Sequence, residues 1–251
     1  MKTKLAIIIL AGGKGTRMNN PNKSKVMFEV FGVPMIGRVV KVATTLNPEI
    51  ILTVVGYQKE MVIKYLKKYN SYVKTIVQEP QLGTGHAVKI TEVALKNFDG
   101  NVLVLSGDVP LLTKETILKL IDHHKKQKTT ATVLTAILRD PTNYGRIIRT
   151  NDGNVLKIVE DRDASIKEKK IKEINSGIYI FKKDLLFRAL SKIKPHNAQK
   201  EYYLTDVLTT LKEQKMKVSA ISTNDYLEVL GINNAEQLLK VEEILINKNK
   251  N

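Results

Sequence analysis

The stretch Leu5-Ala6-Ile7-Ile8-Ile9-Leu10-Ala11-Gly12-Gly13-Lys14-Gly15-Thr16-Arg17 decides the fold. Its first seven residues are all apolar, which suits a strand covered on both faces, as in a parallel sheet with helices on either side. The glycines that follow turn the backbone tightly and let its N–H groups approach a polyanion with no Cβ in the way, while Lys14 and Arg17 add positive charge. A strand ending in such a turn is expected to hold phosphate; a bare strand-to-helix turn needs no flanking cations. The spacing fits neither common phosphate motif. The dinucleotide pattern lacks its third glycine, where Met18 stands, and the P-loop order of glycine, four residues and Gly-Lys-Ser/Thr is absent. A NAD-linked dehydrogenase and a P-loop ATPase both lose ground.

Outward from this stretch, short apolar runs alternate with longer amphipathic ones, the pattern of a βαβ architecture. Strands are expected at 5–11, 50–55, 72–78, 101–106 and 130–137, and helices at 35–46, 60–69, 84–95 and 115–124, where apolar residues recur every three or four positions. After about Pro141 the runs shorten, to 145–149, 155–160 and 174–181, around the turn residues Asn151-Asp152-Gly153. These read as a β-rich insertion laid over the sheet edge. Helical pieces at 185–190 and 204–211, a strand at 218–221 and a last helix at 235–246 complete the chain, followed by a polar, frayed tail at 247–251. The expected fold is α/β: Rossmann-like, with a mostly parallel mixed sheet flanked by helices. It forms one domain over 1–251, with a nucleotide-binding part at about 1–140, a sugar-phosphate part at about 141–235 and the C-terminal helix. No internal repeat is present, which argues against solenoids and propellers.

Forty-one basic residues against 25 acidic ones give a net charge of +16, so the surface attracts anions without choosing among them. The absence of cysteine rules out disulfides, thiolate metal sites and a cysteine nucleophile, and fits a reducing cytoplasm, the expected compartment. Lys2 and Lys4 before an apolar run have the look of a secretory signal, but that run is short and cations follow at once, so a strand and turn is the reading preferred. No apolar stretch approaches the roughly 18 residues of a membrane span, and no membrane partner is expected.

Further motifs follow in order: Gln78 with Gln81-Leu82-Gly83-Thr84-Gly85-His86-Ala87, Gly107-Asp108-Val109-Pro110-Leu111, Tyr144-Gly145-Arg146-Ile147, Glu160-Asp161-Arg162-Asp163-Ala164, Glu173-Ile174-Asn175-Ser176-Gly177-Ile178, Asn197 through Asp206, and Gly231-Ile232-Asn233-Asn234. With the glycine turn, they span residues 5 to about 245. The ordered set resembles the uridylyltransferase half of the bacterial bifunctional enzyme that makes UDP-N-acetylglucosamine, a precursor of peptidoglycan.

The resemblance implies a nucleotidyltransferase that uses UTP and N-acetylglucosamine 1-phosphate, with release of pyrophosphate and Mg²⁺ as cofactor. Such a reaction needs alignment of a phosphate oxygen with the α-phosphorus, neutralisation of developing charge and a hold on the leaving group, but no side-chain nucleophile. By the resemblance, Leu10, Ala11, Gly12, Gly13, Gly15 and Thr16 bind the nucleotide, Arg17 meets the leaving phosphates, and Lys25 meets the sugar phosphate or α-phosphate. Lys23 is the alternative, because the family usually reads Pro-Lys here and this chain has Lys23-Ser24-Lys25. Gln78 and Gly83 match the uracil side, and Thr84, Ser106 and Gly107 are further substrate-binding positions, the last two just before Asp108, with Ser106 where the family often has tyrosine. Gly145, Glu160 and Asn175 match the sugar side. Asp108 just past a buried strand is suited to a hard cation, and the resemblance pairs it with Asn233 as the second metal ligand, Asn234 being the rival in register.

His86, His123, His124 and His196 have no metal-ligand spacing and are expected on the surface or on helix faces. The lysine runs at 123–128 and 167–172 invite a nucleic-acid reading. Against it, 34 of the basic residues are lysine and only seven arginine, and no aromatics interleave, whereas base readout and stacking rely on arginine and aromatic rings. No nucleic-acid partner is expected. Two alternatives stay open: a relative using another sugar phosphate or nucleotide, such as glucose 1-phosphate, and a catalytically inactive basic nucleic-acid-binding module. The family continues into an acetyltransferase β-helix with hexapeptide repeats that this sequence lacks, so only the uridylyl step is expected, without the trimer that the β-helix organises.

Overall fold

A computed structural model describes residues 4–69 and 72–248. Its elements in chain order are β1 (Leu5–Ala11), β2 (Glu29–Val30), β3 (Val33–Pro34), α1 (Met35–Thr45), β4 (Ile50–Val55), α2 (Lys59–Leu66), β5 (Val73–Val77), α3 (Thr84–Lys89), β6 (Asn101–Ser106), α4 (Lys114–Lys126), β7 (Ala131–Ile137), β8 (Arg146–Arg149), β9 (Val155–Val159), α5 (Ile166–Lys169), β10 (Glu173–Lys182), α6 (Lys183–Leu190), α7 (Asp206–Glu213), β11 (Val218–Ser222) and α8 (Ala235–Lys248). Lys2 and positions 249–251 of the expected tail lie outside the described residues, whereas 247 and 248 belong to α8.

The main sheet runs in the order β11-β7-β10-β6-β1-β4-β5. β1 is parallel to both β4 and β6, as its all-apolar run implies for a strand covered on both faces. Alternate residues feed two cores. Ala6, Ile8, Val102, Val104, Tyr179 and Phe181 face α3, α6 and α7, while Ile7, Ile9, Leu103, Leu105, Ile178 and Ile180 face α1, α2 and α4. The result is a three-layer αβα sandwich.

β10 corrects the expected insertion. It does not lie over the sheet edge but enters the middle, antiparallel to β6 on one side and β7 on the other. The run Ile178-Tyr179-Ile180-Phe181 is apolar on both faces, as suits a strand covered by helices on either side. The projecting part of the second half is the β8–β9 ribbon, joined to the sheet through β10. The expected helix at 84–95 is shorter, with a separate 3-10 turn at Val93–Leu95. The small β2–β3 hairpin, unforeseen, turns through Phe31 and Gly32, both at positive φ, the signature of a two-residue hairpin loop. His124 is buried rather than exposed, with Nδ1 3.0 Å from both Thr129 Oγ1 and Thr132 Oγ1, and burial lowers its pKa to about 4. No described helix is long and apolar enough to cross a membrane.

Candidate active site

The chain winds from β1 to β4 and β5 on one side, then returns to place β6 on the other side of β1. The carboxyl ends of β1 and β6 therefore border a topological switch point, where open α/β sheets form a ligand crevice. A cleft of about 500 Å³ opens there, lined by the glycine turn, Lys25, Gln78, Gly83, Thr84, Ser106 and Asp108. The Gly13 to Thr16 backbone N–H groups donate to no acceptor among the described residues, which suits them to an anion. Gly13 has open space where a Cβ would stand. Gly15 is held at φ +62°, and a Cβ there would come within 2.5 Å of the Lys25 Cβ. The glycine turn is thus folded directly onto the lysine. Gly107 lies beneath the cleft rather than in its lining: its N–H donates to the Leu10 carbonyl at 2.9 Å and so ties β6 to β1.

Lys25 Nζ donates to Asp108 Oδ2 and, at 2.6 Å, to Asn233 Oδ1, which also accepts from the Arg17 guanidinium at 3.1 Å. The Asp108 carbonyl accepts the Ile232 N–H at 3.0 Å, which docks the Gly231–Asn233 segment beside β6. The Gly231 N–H in turn donates to the Tyr144 hydroxyl at 3.3 Å. The two asparagines divide their work. Asn233 faces the cluster, while Asn234 Oδ1 accepts the Gln237 N–H at 2.8 Å and caps the start of α8. The two lysines divide likewise: Lys25 reaches the cluster, and Lys23 Nζ stands 5.0 Å above the Phe28 ring.

At the far end of the cleft, the buried Gln78 amide donates to the Gly83 carbonyl at 2.9 Å and lies 3.2 Å from His86 Nδ1. The segment after Asn197 folds onto this loop: the Tyr202 N–H donates to the Leu82 carbonyl at 2.9 Å, the Gly85 N–H to the Tyr202 carbonyl at 2.7 Å and the Leu204 N–H to Thr84 Oγ1 at 3.0 Å. Glu201 thereby joins the lining, as does Gln81, whose amide donates to the Gly12 carbonyl. Neither carries a site role in the sequence reading, and the only sequence signal was their membership of the recurring motifs. Lys200 sits at φ +55°, a conformation that glycine adopts freely.

Gly145, Glu160 and Asn175 form a second group. The Asn175 N–H donates to the Gly145 carbonyl at 2.8 Å, and a Cβ on Gly145 would stand 3.3 Å from Glu160 Oε2. A register shift in β10 between Asn175 and Tyr179, with Gly177 at φ +75°, bends the strand where Ser106 Oγ donates to the Gly177 carbonyl at 3.2 Å. This contact and Tyr144 join the second group to the cleft. Burial raises the Glu160 pKa to about 6, reinforced by Asp206, Asp163 and Asp161 and opposed by a hydrogen bond from Thr205. Burial, then Asp163, raises Asp206 to about 6 as well.

The nucleotidyl transferase family model matches residues 6–234. The chain belongs to this family. It is 46% identical over 238 residues to the bifunctional protein GlmU of Streptococcus uberis, covering 95% of this chain and 51% of that one. To the bifunctional protein GlmU of Alkaliphilus metalliredigens it is 46% identical over 242 residues, covering 96% and 52%. The chain thus spans about half the length of the curated relatives it matches. Its fold is that of a UDP-glucose pyrophosphorylase solved with UDP-glucose, at TM-score 0.79 and 19% identity, covering 98% of this chain and 99% of that one. The likeness to nucleotidyl transferases thus covers the glycine turn, the Asp108 segment and the second half together.

Replacing Gly15 with alanine tests the contact between turn and lysine. Gly15→Ala is expected to lose about 1–2 kcal/mol of stability from the left-handed backbone, and displacement of Lys25 should cost about 10²-fold in rate. Gly13→Ala, with no atom to meet, leaves the melting temperature unchanged. The raised pKa of Glu160 makes a second test. A carboxyl whose folded pKa exceeds its unfolded value holds its proton better when folded, so its contribution to stability grows as pH falls through about 6. Glu160→Gln should be more stable than the parent by on the order of 1–2 kcal/mol at pH 8, a gap that closes toward pH 4.5 in thermal melts.

Proposed function

We propose that the protein joins UTP and N-acetylglucosamine 1-phosphate into UDP-N-acetylglucosamine and pyrophosphate, with Mg²⁺ as cofactor. The observation that carries this reading is the convergence of Asp108 Oδ2 and Asn233 Oδ1 on one ammonium at the mouth of a glycine-lined cleft. Two hard oxygens that share one cation fit Mg²⁺, which takes one or two protein ligands and completes its shell with water and phosphate oxygens. Asp108 and Asn233 would hold it. When bound, the ion draws charge from the phosphate oxygens and orients them.

The chain's own residues do the remainder. The N–H groups of Gly13 to Thr16 and the charges of Lys14 and Arg17 hold the triphosphate, and Gln78 with the Gly83 backbone meets the polar edge of uracil. A hydrogen-bonding pocket rejects a base with the wrong edge strongly, since its buried polar groups are then left unpaired. Gly145, Glu160 and Asn175 receive the hydroxyls and acetamido group of the sugar. A phosphate oxygen of the sugar phosphate attacks the α-phosphorus in line beside Lys25, which meets the sugar phosphate or α-phosphate, the bond to the β-phosphate oxygen breaks, and pyrophosphate leaves with its charge balanced by Arg17. The partners under this reading are the two small-molecule substrates. The identity to GlmU proteins supports N-acetylglucosamine 1-phosphate over glucose 1-phosphate, since the likeness to UDP-glucose pyrophosphorylase speaks for the fold alone.

A pyrophosphate-release assay across sugar 1-phosphates and nucleoside triphosphates tests the proposal. Turnover should be greatest with N-acetylglucosamine 1-phosphate and UTP, should stop with a chelator, and should fall about 10²–10³-fold in Asp108→Asn or Arg17→Ala. Preference for another pair contradicts the substrate assignment. Full activity in Asp108→Asn contradicts the mechanism.

A further inference from the structure

Arg146 is the largest fully buried side chain, with 2% exposure, yet it has no part in the reaction described above. It stands where three strands meet: it is paired with Val159 of β9 and with Ile174 of β10. The three residues assigned to the sugar each lie one position from this junction. Gly145 precedes Arg146, Glu160 follows Val159 and Asn175 follows Ile174. One guanidinium nitrogen, Nη1, donates to the Tyr144 carbonyl, and Nη2 donates to Asp161 Oδ1 at 3.0 Å, while Nε is buried with no partner among the described residues. The fork thus grips the residue just before Gly145 and the residue just after Glu160.

A buried ion pair is a weak device for stability, because removing two charges from water costs about as much as their attraction returns, and well-packed apolar residues often serve as well. A planar fork that holds two acceptors in fixed directions is instead a device for geometry. We infer that Arg146, through Asp161 and the Tyr144 carbonyl, is a positioning residue that sets Gly145 and Glu160 for the sugar 1-phosphate and has no direct effect on the nucleotide. The inference rests on the proposed function for the identity of the ligand. It rests on the ribbon's own geometry for the clamp.

The test compares Arg146→Met, Arg146→Lys and Asp161→Asn as full chains, with KM measured for each substrate and amide hydrogen exchange over 144–147 and 159–162. The expected result for Arg146→Met is a rise of about tenfold or more in the KM for the sugar phosphate, with the KM for UTP within about twofold and a lower melting temperature, since Asp161 loses its partner. Arg146→Lys, able to keep one grip but not the planar pair, falls between. Faster exchange should be confined to the two named segments. Should Arg146→Met fail to fold, Asp161→Asn, which keeps an acceptor and loses the charge, carries the test with a smaller rise in the same KM. Equal rises in both KM values, or unchanged KM for the sugar phosphate in folded variants, overturn the inference. If the parent protein releases no pyrophosphate from any sugar 1-phosphate, the functional reading fails by itself, and exchange in Arg146→Met no different from the parent then overturns the clamp as well.

Discussion

One ammonium group, Lys25 Nζ, is held by two oxygens from positions 83 and 208 residues away in the chain. Three segments must be correctly placed for that contact to exist. The Lys25–Met27 turn is pressed against Gly15, Asp108 sits past the end of β6, and the Gly231–Asn233 segment hangs from the Asp108 carbonyl. Each is anchored to an apolar element: Val26 and Met27 are buried, β6 lies in the sheet interior and Ile232 is fully buried. Folding energy from these apolar clusters is thus what holds the charged and polar groups at the cleft in one arrangement. Preorganised dipoles and charges of this kind are the largest single contribution that such sites make to rate.

The same logic explains the second half of the chain. β10 must pass through the middle of the sheet, yet its start must also reach β8, where Asn175 bonds the Gly145 carbonyl. The register shift around Gly177 meets both demands, since it lets the strand pair normally at Tyr179–Phe181 while its beginning bends toward β8. Ser106 fills the bend with a small side chain, its hydroxyl directed at the Gly177 carbonyl. The residues proposed for the sugar are therefore mounted on a three-strand junction rather than on free loops, and sites on paired strands are held more tightly than sites on loops.

Legibility in the sequence followed the range of the interactions. β1, β4 and β6 fall on their predicted bounds because runs of seven, six and four successive apolar or β-branched residues are a local signal that packing only reinforces. The placement of β10 was not legible, since an apolar run says that a strand is covered but not which strands cover it. The burial of His124 was equally hidden: it depends on Thr129 and Thr132 around the turn and on Ser219 from β11, which bonds Thr132 at 3.3 Å. Within the site, the suitability of the glycine turn for an anion was legible in its composition alone. Asn233 needed the motif order, because nothing local distinguishes it from Asn234 until α8 takes the latter as its cap, and Glu201 gained a place in the cleft only from the fold.

The central claim is that Asp108 and Asn233 define one cation position beside the phosphates of a nucleotide lying on the glycine turn. Anomalous diffraction from crystals grown with Mn²⁺ and UTP tests it most directly. The account predicts a single manganese peak bonded to an oxygen of each side chain, with phosphate density over Gly12 to Thr16 and the Lys25 ammonium moved off the two oxygens. A peak that touches neither residue, or a triphosphate bound away from the glycine turn, would contradict it.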